Sequence, residues 1–375
     1  MKIYYEDSMP YATEFFAELG ECQVFSHKTV NAEMLADADV LLTRSTTKVN
    51  QALLCKSEQV QFVGTATAGT DHVDKAYLAS KGIPFTSADG CNAVAVAEYV
   101  LSAIFVMAKR LDWQVAEKTV GIVGAGNVGT VLANVLTVLG IKHKLCDPPL
   151  ADNGDPREFV NIEQIMDCDV ISLHVPYVAD GPYTTEDLFD AKRLSQLNEN
   201  QLLINACRGE VVNNQAALAL FKQGKKLNLV LDVWDNEPNI EAELVPYVAL
   251  ATAHIAGHTI EGKARGTEML YFALCKQLDV QPTKKLSDYL PLAKDSQKSL
   301  PDSGEFWDVI EHLVLAVYDI SVDDAQFKTK HDGAESFRYI RKHYPIRREF
   351  SAMTVNAGNS AHSKAIYGLG FLAAK

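Results

Sequence analysis

Three polar groups stand where apolar runs end. "LLINACRGEVV" is apolar from Leu202 to Ala206 and then turns polar at Cys207, Arg208, Gly209 and Glu210. "LVLDVWDNEPN" passes through Asp232 and reaches Glu237, and "ALATAHIAGHT" places His254 and His258 after a third run. An imidazole, with a reference pKa of about 6.5, can take or give a proton near neutral pH. A carboxylate beside it would fix its tautomer and stabilise the imidazolium that forms. A guanidinium is planar and always charged, so it can hold a carboxylate by two hydrogen bonds. Together these groups suit oxidation of an alcohol carbon: His254 takes the hydroxyl proton, Glu237 supports His254, and Arg208 holds an acid group on the substrate.

Such chemistry needs a hydride acceptor, and "TVGIVGAGNVG" offers a place for one. Gly124, Gly126 and Gly129 form G-x-G-x-x-G after an apolar run and before a helical pattern. Gly124 permits the tight turn, Gly126 lets the backbone approach a pyrophosphate, and Gly129 lets the helix pack close to the strand. The helix start, at Asn127 and Val128, then presents free N–H groups to the phosphates. The next strand pattern ends in Asp147, near the usual spacing of roughly 20 residues. Its charge would accept the ribose hydroxyls and disfavour a 2′-phosphate, so NAD is expected rather than NADP.

Each assignment has a plain alternative. Arg208 could serve a structural salt bridge, Glu237 could be a solvated loop acid before Pro238, and His254 a satisfied core histidine. The glycine loop could be a turn in a ligand-free domain. His254 and His258 are spaced H-x-x-x-H, but Gly257 disfavours the helix that a metal pair would need, so no metal is expected.

These groups must be positioned by parallel sheets. "KIYY", "DVLLT", "VQFVGT" and "IPFTS" read as strands separated by helical patterns, a βαβ rhythm. One long helix follows, "NAVAVAEYVLSAIFVMAKRL", and then a second series: "TVGIVG", "KHKLCD", "DVISLHV", "QLLINA", "LNLVLDV" and "VALATAH". Ligands bind beyond the carboxyl ends of strands in open α/β sheets, so groups at three strand ends can converge. The expected fold is α/β, two Rossmann-like parallel-sheet lobes with a cleft, plus a C-terminal α+β domain. The expected boundaries are 1–92 with 258–280 for a flavodoxin-like substrate lobe, 93–257 for the NAD lobe, and 281–375 for the third domain. "QPTKKLSDYLPLAKDSQKSLPDSGE" reads as an irregular linker into it.

Composition narrows the class of partner. The net charge of −13 argues against nucleic acid or anionic membrane, though not against an anionic small molecule in a local basic pocket. No apolar segment reads as a secretory signal, and seven scattered cysteines without a C-x-x-C pair fit a reduced cytoplasm. Cys146 and Cys168 read as core thiols.

In order along the chain, G-x-G-x-x-G, N-A-C-R-G, D-x-W-x-x-E-P and H-I-A-G resemble the D-isomer-specific 2-hydroxyacid dehydrogenases, from about Ser45 to Gln277. The resemblance implies Arg208, Glu237 and His254 as the catalytic set. It implies Asp147, Val175, Ala206, Cys207, Arg208, Asp232 and Gly257 along the NAD site. Within the family, "LLTRSTTKVN", "GTATAGTDHVD" and "HIAGHTIEGKARGTEM" are similar to a member that acts on a phosphorylated four-carbon hydroxy acid and dimerises through an extra C-terminal domain. That likeness implies Ser45, Thr67 and position 258 as substrate contacts. This chain has His258 where tyrosine is usual in that member. Arg44 could meet the phosphate. Arg338, Arg341, Lys342, Arg347 and Arg348 are a second source of cations, with a solvated basic face as the alternative. Two rival functions remain open at this level: a dehydrogenase for another D-2-hydroxy acid, and an NAD(H)-sensing regulatory protein.

Overall fold

In a computed structural model, the described residues are 1–294, 296–300, 304–357 and 362–374. They divide into two compact units, Met1–Asn92 with Thr259–Leu292, and Ala93–His258 with Ala293–Lys375.

The first unit carries a five-stranded parallel sheet: β1 (Lys2–Glu6), β2 (Glu21–Phe25), β3 (Val40–Thr43), β4 (Phe62–Thr65) and β5 (Phe85–Ser87), in the order β2-β1-β3-β4-β5. Every residue of β3 and β4 is buried, as expected of strands covered on both faces. The chain turns to one side of β1 for β2 and to the other for β3. The crevice between β1 and β3 is therefore a topological switch point, where ligands bind in such sheets. Helix Ile260–Gln277 packs on this sheet, and Leu270 fills the space over Gly64.

The second unit begins with helix Ala93–Leu111, which is apolar around its whole circumference and accordingly buried from Ala95 to Ala108. Its sheet contains β6 (Thr119–Val123), β7 (Lys142–Cys146), β8 (Val170–Leu173), β9 (Leu202–Asn205), β10 (Asn228–Leu231) and β11 (Leu250–Ala251). The order is β11-β10-β9-β8-β6-β7, all parallel. The register aligns Val123 with Leu173, Leu173 with Asn205, Asn205 with Leu231, and Leu231 with Ala251. Gly124, His174, Ala206, Asp232 and Thr252 are therefore the first residues off one rim. The strand ends of this unit thus align along one rim.

The carboxyl-terminal segment adds helices Phe306–Val317, Ile320–Lys330 and Ala334–Lys342. It also adds a small parallel sheet of β12 (Gln297–Ser299), β13 (Thr354–Asn356) and β14 (Leu372–Ala373). It shares a core with the rest of the unit: Ile310, Leu313 and Val314 cluster with Ile104 and Phe105. Among the described residues no helix is long and apolar enough to cross a membrane.

The expected strand "VALATAH" is short, because β11 pairs through only two residues. Helix Ile320–Lys330 covers this sheet edge. Asp324 Oδ1 accepts the Ala251 N–H at 2.8 Å, and Lys328 Nζ donates to Val248 O at 2.8 Å. A side chain thus replaces the ladder partner that an edge strand lacks. Asp324→Ala would leave that buried N–H unpaired. It is expected to lower stability by about 1–3 kcal/mol, read as a lower urea midpoint at an unchanged m-value.

Candidate active site

The glycine loop has the shape its sequence asks for. Gly124 lies at φ +92, in the left-handed region, and a Cβ there would sit 2.5 Å from the carbonyl oxygen of His174. A Cβ on Gly129 would sit 2.0 Å from Gly124 O, so this glycine lets helix Asn127–Leu139 start tight against β6. Nothing lies within 4 Å of a Cβ built on Gly126, which leaves its backbone open to a bulky group. Asn127 is exposed, Val128 half-buried. β6 is the switch point of this sheet, with β7 on one side and β8 on the other. The crevice between them is bounded by Gly124 and by His174 and Val175. A dinucleotide pyrophosphate fits this open, glycine-lined helix start.

Asp147 follows β7 as expected. Its Oδ2 accepts the Ala125 N–H at 2.8 Å and its Oδ1 accepts the Leu150 N–H at 3.1 Å. The carboxylate is thereby fixed beside the loop, with one lone pair on each oxygen left for ribose hydroxyls. Arg157 donates to Ala125 O at 2.9 Å and holds the loop from its other side.

The acid–base pair is formed. His254 Nδ1 and Glu237 Oε2 are 2.8 Å apart. Glu237 Oε1 accepts the Trp234 N–H at 2.9 Å, so both carboxylate oxygens are engaged and Glu237 is not a solvated loop acid. Burial works against the charge on Glu237. The neighbouring His254 ring, its hydrogen bond and the Trp234 N–H outweigh burial and hold the carboxyl below its usual range. His254 itself has φ 56, a left-handed conformation that L-residues seldom adopt. Its N–H donates to Asp232 O at 2.6 Å.

Asp232 is 1% exposed. Its Oδ1 accepts the Thr252 hydroxyl at 2.6 Å and the Ile255 N–H at 2.7 Å, and its Oδ2 accepts the Ala256 N–H at 3.0 Å. The carboxylate expected along the cofactor site is thus mainly committed to its own chain, with a lone pair remaining on Oδ2.

Arg208 follows a turn in which Asn205 Nδ2 donates to Arg208 O at 2.9 Å, while Arg208 Nη1 donates to Cys207 O at 2.8 Å. A Cβ on Gly209 would lie 1.9 Å from Trp234 O. The Arg208 turn therefore packs backbone to backbone on the turn leading to Glu237, which only glycine permits. Cys207 is buried, and burial pushes its thiol up to about 11. Ala206, Val175 and Gly257 are half-buried on the same rim, and the His258 ring meets the Tyr344 ring edge-on at 6.1 Å.

In the first unit, Arg44 and Ser45 follow β3 at its switch point. Glu6, fully buried at the end of β1, accepts the Arg44 N–H at 2.9 Å and the hydroxyls of Ser8, Thr46 and Thr47. Burial opposes its charge, but these four donors hold its carboxyl below the usual range. Ser45 is exposed. Thr67 Oγ1 donates to Gly69 O at 2.9 Å.

The sequence places Arg347 wrongly and gives little sign of His174. Arg347 had been grouped with surface or phosphate-binding cations, yet it is 5% exposed and donates to Ala256 O at 3.1 Å and Ala95 O at 2.5 Å. It lies between exposed Ile346 and the charged pair Arg348 and Glu349, so no period marks it as interior. His174 ends β8 with Nε2 2.9 Å from Ser172 Oγ and with Nδ1 buried and without a partner. Its place beside a strand end was the only available signal.

A sequence model described as the D-isomer specific 2-hydroxyacid dehydrogenase, NAD binding domain, matches residues 96–257. A second, described as a domain of unknown function, matches residues 289–370. The chain is 63% identical to erythronate-4-phosphate dehydrogenase of Pseudoalteromonas atlantica, over 99% of both chains. It is 48% identical to the protein of that name from Colwellia psychrerythraea, again over 99% of both. Among solved structures it is similar to NAD-bound 3-phosphoglycerate dehydrogenase of Entamoeba histolytica, with TM-score 0.61 and 22% identity. That match covers 74% of this chain and 95% of the other.

Burial pushes the His174 ring down to about 3, against about 6.5 in an unfolded chain. Between those values the unfolded chain binds a proton that the folded one does not. Stability is therefore level above about pH 6.5 and falls as pH drops through that window. Wild type is expected to lose about 1–2 kcal/mol more than His174→Gln between pH 7 and pH 5, measured by urea unfolding at each pH.

Proposed function

Because the chain belongs to the D-isomer specific 2-hydroxyacid dehydrogenase family, we propose that it oxidises the 2-hydroxyl of 4-phospho-D-erythronate to (R)-3-hydroxy-2-oxo-4-phosphooxybutanoate, with NAD, in pyridoxal 5′-phosphate biosynthesis. The observation that carries the reading is the 2.8 Å contact between His254 Nδ1 and Glu237 Oε2, on the rim that also bears Arg208. That contact keeps a proton on Nδ1 and leaves Nε2 to accept the hydroxyl proton. The ionised Glu237 stabilises the imidazolium formed, and Arg208 holds the substrate carboxylate by two hydrogen bonds. NAD, when bound, supplies the hydride-accepting ring carbon. Gly124, Gly126, Asn127, Val128 and Gly129 would cradle its pyrophosphate, and Asp147 its ribose. Val175, Ala206, Cys207, Gly257 and the free lone pair of Asp232 would line the nicotinamide end.

Ser45, Thr67 and His258 are assigned to the substrate, with Arg44 toward its phosphate. In its relatives' place along the pathway the enzyme would work in the cytoplasm, and the carboxyl-terminal segment would support a homodimer. The domain reading is a substrate lobe, an NAD lobe and that segment. The complete set of Arg208, Glu237 and His254 favours an enzyme over an NAD(H)-sensing regulator, which would have no use for a proton acceptor.

His254→Ala is expected to lower kcat by a factor of about 10³, within the range for losing a general base, while the Kd for NADH changes less than twofold. An unchanged kcat would remove His254 from the mechanism. The phosphate assignment is checked by comparing D-erythronate with its 4-phosphate: kcat/KM is expected to fall at least 100-fold without the phosphate, and equal values would defeat it.

A further inference from the structure

We infer that the carboxyl-terminal segment is a positioning element for the proton-transfer loop, and that Arg347 is the residue through which it acts. The inference rests on the reading of His254 as proton acceptor. The loop from Thr252 to His258 leaves the two-residue strand β11 at the sheet edge, where no further strand supports it. Besides its bonds to Asp232, the loop is supported on that open side by residues beyond Ala293 in the same chain and the same compact unit.

Arg347 is central to that support. Its Nη1 donates to Ala256 O at 3.1 Å and its Nη2 to Ala95 O at 2.5 Å, so one guanidinium joins the loop to helix Ala93–Leu111. The face of the guanidinium lies 3.8 Å from the centre of the Tyr318 ring. A flat fork with two donors on one edge makes both bonds at once, and a stacked ring keeps it in plane. An ammonium can donate to a carbonyl and sit over a ring, but it has no planar fork to fix two carbonyls in one plane. Asp232 meanwhile takes the Ala256 N–H, so Ala256 is held by an anion on its amide side and a cation on its carbonyl side.

The contacts on either side of Arg347 serve the same loop. Tyr344 sets its ring against His258, and its hydroxyl donates to half-buried Asp323 at 2.6 Å. Phe327 stacks on Trp234 at 5.8 Å, and Phe337 packs on Phe327. Trp234 donates its N–H to Glu237 and its indole Nε1–H to Thr252 O at 2.9 Å. Both members of the His254–Glu237 pair are thus backed by side chains of this segment. A positioning error near 1 Å is enough to cost orders of magnitude in rate.

The test uses the full-length protein, with Arg347→Met, which removes the charge and both bonds, and Arg347→Lys, which keeps the charge but cannot span both carbonyls. Each is expected to lower kcat per folded molecule at least tenfold, with KM for 4-phospho-D-erythronate changed less than threefold. Hydrogen–deuterium exchange is expected to rise in peptides covering 252–258 and to stay unchanged across 119–146. A purely structural role would lower the melting temperature and raise exchange throughout the unit while kcat per folded molecule held at the wild-type value. That result overturns the inference. So does the failure of both variants to fold. A wild-type enzyme inactive on this substrate would instead defeat the proposed reaction, and the exchange measurement would still decide the role of Arg347.

Discussion

Asp232 collects four hydrogen bonds from the loop after β11: three on its carboxylate, from Thr252, Ile255 and Ala256, and one on its carbonyl, from His254. Hydrogen bonds to a charged acceptor contribute more than neutral ones, roughly 1.5–3 kcal/mol each. Together they offset the cost of holding His254 in the left-handed region, about 1–3 kcal/mol. In that conformation the ring lies 2.8 Å from Glu237. The path of the His254 loop therefore follows from where Asp232 sits, and Asp232 sits there because β10 ends at Leu231, in register with β9 and β11.

The rim is further tightened by absent side chains. Gly209 lets the Arg208 turn touch the main chain at Trp234, and Gly124 lets β6 end against the carbonyl of His174. Neither contact adds much energy by itself. Each removes a separation that a methyl group would impose. His254, its carboxylate partner Glu237 and the Arg208 turn thus belong to one continuous piece of packed backbone. Their relative positions follow from strand register and two glycines, more than from side-chain flexibility.

Much of this was legible in the sequence, for identifiable reasons. The βαβ alternation was clear because β3, β4, β8 and β9 are buried at every position and so read as unbroken apolar runs. The long helix from Ala93 was clear for the same reason. Arg208, Glu237 and His254 were visible because polar groups at the ends of such runs have few structural uses. Asp232 was seen but given only a cofactor role, since a sequence does not reveal which donors a carboxylate meets. Arg347 was misplaced because burial of a cation depends on partners, and its partners are carbonyls of Ala95 and Ala256, far away in the chain. Carbonyls carry no sequence signature at all. Glu6 was overlooked for a related cause: its four donors lie after β1 and β3, and only the fold brings those ends together.

Burying Arg347 would be unfavourable without compensation, and a buried pair is seldom the most stable solution for a core. Its compensation here is distributed: two carbonyls, the Tyr318 ring and the nearby Asp323 and Glu98 carboxylates. An apolar residue at that position could pack as well, but it could not specify where Ala256 lies. The same reasoning applies to Asp232 on the opposite side of that residue. Two buried charges of opposite sign, each costly alone, leave the loop between them one favourable arrangement. The loop that carries His254 at the edge of the sheet gains one defined path from that restriction, of which the end of β10 supplies the Asp232 half and the carboxyl-terminal segment the Arg347 half.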